Sequence, residues 1–92
     1  MVVRRTPTNA KIAVVAVGAM LVGSIFYVEG MDQTGAQMKR GQCIGGFKYG
    51  GSTVIVLYPP GEVHLDEDLV RNSIEQSCET LMHVGWRVGI KE

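Results

Sequence analysis

Residues 12–28 (IAVVAVGAMLVGSIFYV) carry no charge, and a run of this kind has to be hidden either in lipid or in a protein interior. Its length lies at the lower edge of what a spanning helix needs, about 17–25 residues. Arg4, Arg5 and Lys11 precede it, as basic residues precede a membrane anchor or a signal peptide, and Ala19, Gly23 and Ser24 read as a processing site. The side chains argue for a different home. Val and Ile are frequent in the run, and Gly18 and Gly23 interrupt it, a pattern that suits two short buried strands packed together and joined at a turn. Strands are therefore expected here, with a membrane helix carrying a β-rich head as the alternative.

The next stretch, residues 29–41 (EGMDQTGAQMKRG), is polar and glycine-bearing and reads as a loop that includes Asp32. A second apolar segment follows, in which residues 47–49 lead through Gly50, Gly51, Ser52 and Thr53 into the β-prone run 54–58. Pro59, Pro60 and Gly61 end that run. Ser52 thus stands at the entrance to a strand that its composition predicts to be buried. Residues 65–73 place Asp66, Glu67 and Asp68 ahead of Leu69 and Val70, where the dipole of a short helix favours acidic side chains. Residues 80–84 and 87–90, broken by Gly85 and Gly89, are expected to be short closing strands.

Ninety-two residues allow one small domain, and so short a chain leaves much apolar surface without a partner. With 46% hydrophobic residues it has the material of a packed β-rich core and not of a disordered tail. Nine basic residues balance nine acidic ones, which leaves no net field to draw in nucleic acid. The basic residues gather before Ser52, whereas Glu62, Asp66, Glu67 and Asp68 follow it. Cys43 and Cys78 show no metal-binding spacing and are expected to be reduced, with Cys43 a buried thiol. His64 and His83 are expected in surface or packing roles, and Trp86 is expected to close a core.

Gly50-Gly51-Ser52-Thr53 is by itself an ordinary turn sequence. Its position at the head of a strand gives it a second reading. Without side chains at Gly50 and Gly51, the chain has access to conformations that bring the Ser52 hydroxyl near the Gly51 carbonyl. That approach is the geometry of an N-to-O acyl shift, which turns an amide into an ester. β-Elimination then severs the ester, and the dehydroalanine that remains hydrolyses to a pyruvoyl group.

Several blocks extend this pattern: VAVGAMLVGSI (15–25), KRGQCIGGFKYGGSTVIVLYPPG (39–61), LDEDLVRNS (65–73) and ETLMHVGWRVG (79–89). In content and order they resemble the pyruvoyl-dependent phosphatidylserine decarboxylases, most closely the eukaryotic and fungal-type members that carry GGST. The resemblance implies a mainly β fold with one short helix, the carboxyl-terminal part of that family's β-sandwich. It implies a single partial domain over residues 1–92, divided by self-cleavage at Gly51-Ser52 into a β-chain-like part (1–51) and an α-chain-like part (52–92). Ser52 would become the covalent pyruvoyl group, the cofactor whose carbonyl forms a Schiff base with the substrate amine and takes up electrons as carbon dioxide leaves. The activity implied is conversion of phosphatidylserine to phosphatidylethanolamine in phospholipid biosynthesis.

The family also uses an upstream histidine and aspartate to activate the serine. Neither motif is present here, since His64 and His83 follow Ser52, and Gln42, Cys43 and Ile44 depart from the usual stretch before the glycine and aromatic residue. An upstream segment or a full-length homologue is therefore an expected partner, and the substrate is either a phospholipid or a free amino acid such as tryptophan. The alternative is a truncated, inactive homologue that acts as a binding or structural fragment through exposed strand edges. A phospholipid substrate would place the protein at a membrane surface; a free amino acid would place it in the cytoplasm.

Overall fold

A computed structural model describes residues 1–5, 7–18 and 24–91. In chain order the elements are β1 (Val2–Arg4), β2 (Lys11–Val17), β3 (Ser24–Tyr27), β4 (Gly45–Lys48), β5 (Thr53–Leu57), β6 (Val63–Leu65), α1 (Glu67–Ile74) and β7 (Gly89–Lys91). The protein is mainly β with one short helix, as expected. The strands form three small sheets: β1-β2-β5, β3-β4 and β6-β7, the last two antiparallel.

The uncharged run does contribute two strands, β2 and β3, and the turn expected between them falls on residues 19–23, outside the described residues. Among the described residues no helix is long and apolar enough to cross a membrane. The two strands belong to different sheets: β2 bonds to β1 and β5 while β3 bonds to β4. Local chemistry accounts for this choice. β5 offers β2 a run of β-branched residues and leucine. β4 offers β3 the glycine that the close approach requires, since a Cβ at Gly45 would strike the Phe26 carbonyl oxygen.

The chain divides into two compact units, one of Met1 with Ala13–Val56 and the other of Val2–Ile12 with Leu57–Glu92. In the first, Met1 and Val14 exchange two backbone bonds of 3.0 and 2.8 Å. The β3-β4 ladder pairs Ser24 with Lys48, Ile25 with Phe47, Phe26 with Gly46 and Tyr27 with Gly45. In the second unit, Pro59, Pro60 and Gly61 make a turn in which the Glu62 amide donates to the Pro59 carbonyl (3.3 Å) and Gly61 takes φ +80°. β6 then pairs with β7, and Gly89 fits opposite Leu65 because a Cβ there would lie 2.5 Å from the His64 carbonyl oxygen.

Between those strands stands α1, with Glu67 and Asp68 in its first turn as the acidic run predicted. It begins two residues later than expected because residues 63–65 pair as β6. Asp66 holds the N-cap position without capping through its side chain; its carboxylate takes both Nε (3.0 Å) and a terminal nitrogen (2.8 Å) of Arg87 instead. The helix stops where Ser77 enters the left-handed region at φ +50° and Asn72 donates to the Thr80 hydroxyl at 2.9 Å.

The expected burial is not found. Among the described residues no hydrophobic side chain is buried, and every residue of β5 is exposed. Composition predicts that a strand is able to be covered; an opposing layer has to be present to cover it. Residues 80–84 form no strand: the Trp86 amide donates to the His83 carbonyl (3.1 Å) in a turn with Gly85 at φ +88°. The second closing strand is confined to β7. Trp86 closes no core and remains 58% exposed, its ring edge-on to His83 at a centroid distance of 4.6 Å. Cys43 and Cys78 are free thiols, and both are exposed, Cys43 because it lies in the irregular approach to β4.

The one buried polar residue among those described is Glu62, 8% exposed. Its carboxylate accepts from the Arg5 guanidinium at 2.5 Å and from the Thr8 hydroxyl at 3.1 Å. The Arg5 hydrogen bond holds the Glu62 carboxyl below its ordinary value of 4.5; burial opposes this, and Thr8 and the charges of Arg5 and Lys91 assist it. A carboxylate with a lowered folded pKa adds stability that is complete above its unfolded value and is lost as pH falls through the folded one. Glu62→Gln is accordingly expected to melt below wild type at neutral pH, with the gap closing as acid protonates the wild-type carboxyl. Thermal unfolding of both across pH 7 to 2 checks this, and a gap independent of pH would refute it.

Candidate processing site

β4 and β5 belong to different sheets, and only four residues, Tyr49 to Ser52, connect them. The chain makes the passage by turning through the left-handed region twice, with φ +62° at Tyr49 and +109° at Gly50. Glycine takes such a conformation at no steric cost, whereas tyrosine does not. The Tyr49 ring is 83% exposed, so its packing does not explain the strained backbone. The strands on either side fix it.

Gly51 completes the corner without a positive φ, and a Cβ built on it would meet nothing within 4 Å. The Gly51-Ser52 bond therefore stands in open space, and Ser52 is exposed. Of the two glycines that the sequence reading grouped together, Gly50 uses the conformational freedom of its type and Gly51 supplies openness. The Ser52 hydroxyl donates to the Val17 carbonyl at the end of β2, the strand beside β5. Sequence reasoning gives that hydroxyl access to the Gly51 carbonyl and does not foresee Val17, which the neighbouring of β2 and β5 brings to it. A hydroxyl that donates its proton keeps its oxygen lone pairs available. A carbonyl does not accept the proton outright, so Val17 fixes the direction of the hydroxyl proton without serving as a base.

The same unit contains an apolar cavity of about 350 Å³, with Ile25, Phe26, Tyr27, Ile44, Phe47 and Val54 among its walls. Val54 follows Ser52 by two residues, so β5 links the cavity wall to the corner. The Lys48 ammonium lies 5.5 Å from the centroid of the Phe26 ring. His64, on β6, and His83, beside Trp86, both belong to the other unit, and Asp32 is an exposed loop residue. Among the described residues no group of three or more His, Cys, Asp or Glu side chains is placed to hold a metal ion.

Comparison with known proteins gives the family of the chain. The family model described as phosphatidylserine decarboxylase matches residues 1–85. The chain is similar to phosphatidylserine decarboxylase proenzyme 3 of Schizosaccharomyces pombe, 48% identical over 88% of this chain and 8% of that protein. It is also similar to proenzyme 2 of Oryza sativa, 42% identical over 92% of this chain and 13% of that protein. A bacterial relative, the phosphatidylserine decarboxylase proenzyme of Chlamydia felis, is 40% identical over 92% of this chain and 27% of its own length. The chain thus spans roughly a tenth of the fungal and plant relatives it matches. No solved structure matches it.

Proposed function

The chain belongs to the phosphatidylserine decarboxylase family, and on that premise we propose that it is the self-cleaving part of a pyruvoyl-dependent carboxy-lyase, with Ser52 the pyruvoyl precursor. The observation that supports the reading is the exposed Gly51-Ser52 bond beyond a left-handed corner, with the Ser52 hydroxyl hydrogen-bonded to the Val17 carbonyl. In the first step the Ser52 oxygen bonds to the Gly51 carbonyl carbon, the carbon–nitrogen bond breaks, and the hydroxyl proton ends on the Ser52 nitrogen. Loss of the Ser52 Cα proton then expels Gly51 as a carboxylate. Water hydrolyses the resulting dehydroalanine with release of ammonia.

The residues present fit such a group: Ser52 is exposed, and no side chain crowds Gly51. Once formed, a pyruvoyl group supplies a carbonyl electron sink for loss of carbon dioxide from an amine-bearing carboxylate. The apolar cavity next to β5 favours a phospholipid over a free amino acid as substrate, because it offers hydrocarbon a site out of water. The protein would then work at a membrane surface, converting phosphatidylserine to phosphatidylethanolamine. The base that takes the Ser52 proton would come from an upstream segment or a full-length homologue.

Intact mass spectrometry tests the proposal on the chain co-expressed with a full-length relative. Two chains divided between Gly51 and Ser52 are expected, the second lacking an amino terminus and resisting Edman sequencing. A single undivided mass under these conditions would count against it.

A further inference from the structure

We infer that Tyr49 is a positioning residue for self-cleavage, because its strained left-handed backbone favours the ester form of the Gly51-Ser52 linkage. The inference rests on the Ser52 reading above and adds to it a source of driving force. An amide is ordinarily more stable than the ester made from it, so a shift of this kind needs the fold to penalise the amide. The corner supplies that penalty. Four residues carry the chain from one sheet to another, and two of them have positive φ. Gly50 bears its φ of +109° at no steric cost, whereas Tyr49 at +62° sets its Cβ against the following carbonyl.

Chain length connects this strain to the chemistry. In the amide, the path from the Gly51 carbonyl carbon to the Ser52 Cα runs through one atom, the nitrogen. In the ester it runs through two, Oγ and Cβ, so the corner lengthens and Tyr49 is freed to leave the left-handed region. The atoms balance within the linkage: one carbon–oxygen bond replaces one carbon–nitrogen bond, and one proton moves from oxygen to nitrogen. The exposed ring takes no part, which makes the backbone of a β-carbon-bearing residue the whole of the device.

Hydroxylamine cleaves esters far faster than amides, and it reads the ester fraction of the full chain directly. A base changes how fast that fraction is reached and not its size, so incubation to a constant value suffices. Trapping between Gly51 and Ser52 is expected to fall about tenfold in Tyr49→Gly, the change that about 1.4 kcal/mol produces. Tyr49→Ala keeps the strained backbone without the ring and is expected to match wild type. The unfolding midpoint of Tyr49→Gly should be no lower than that of wild type. Equal trapping in wild type and Tyr49→Gly would overturn this inference and leave the Ser52 reading standing. Loss in Tyr49→Ala as large as in Tyr49→Gly, or a lowered midpoint accompanying the loss, would assign the effect to the ring or to unfolding and overturn it too. No hydroxylamine-sensitive bond in wild type would overturn the Ser52 reading and this inference together.

Discussion

Ser52→Ala is expected to abolish division of the chain between Gly51 and Ser52, under the conditions in which wild type is expected to divide. Alanine keeps the Cβ of this exposed position and removes only the oxygen proposed to receive the acyl group. The fold should therefore survive, at the loss of one hydroxyl bond to the Val17 carbonyl. Ser52→Cys separates geometry from nucleophile: a thiol at the same place is able to form the thioester, so slow division is expected, intermediate between wild type and alanine. The neighbouring hydroxyl provides an internal control. Thr53 begins β5, and its own attack would fall on the Ser52 carbonyl, one bond downstream. Intact masses distinguish the two positions by one residue. Division that continues between residues 51 and 52 in Ser52→Ala would remove Ser52 from the mechanism, and division after residue 52 would transfer the role to Thr53.

The corner around Ser52 shows which parts of this protein its sequence exposes to view. A β-prone run after Gly50 and Gly51 was sufficient to place a strand one residue from its observed bounds, because β propensity and turn chemistry are local properties. The acidic first turn of α1 was legible for the same reason. Pairing was not legible: apolar strands of similar composition exchange partners without altering their own patterns, and the Val17 carbonyl reached Ser52 only through the neighbouring of β2 and β5. Burial failed most widely. Val54, Ile55, Val56, Leu57 and Trp86 all have the composition of a core and all are exposed, since burial is a property of what lies opposite. The positive φ of Tyr49 was invisible too; tyrosine gives no signal for the left-handed region, and the demand comes from the two sheets it joins.

Gly45→Ala is expected to be the most destabilising small substitution in this unit, although it adds a single methyl group. In the β3-β4 ladder Gly45 lies opposite Tyr27, and the added Cβ would strike the Phe26 carbonyl oxygen while lying 3.1 Å from the Tyr27 Cα. Both obstacles are backbone, so relief requires the strands to part or to change register, and a slip of one residue would reverse the faces of Ile25 and Phe47. Overpacking of this kind costs about 1–3 kcal/mol. Gly46→Ala is the informative comparison, because its Cβ would meet only ring atoms of Phe26 at 3.1 and 3.2 Å, and a ring is able to turn aside. The consequence reaches the chemistry, since β4 ends at Lys48 and holds one side of the Tyr49 to Ser52 corner. With that anchor loosened, Tyr49 is free to relax in the intact chain, and division after Gly51 should slow along with the loss of stability. Unfolding midpoints measured in a Ser52→Ala background separate the structural effect from cleavage, and division rates in the Ser52 background read the other half. Equal midpoints for Gly45→Ala and Gly46→Ala would mean that the β3-β4 ladder does not approach as closely as the steric argument requires.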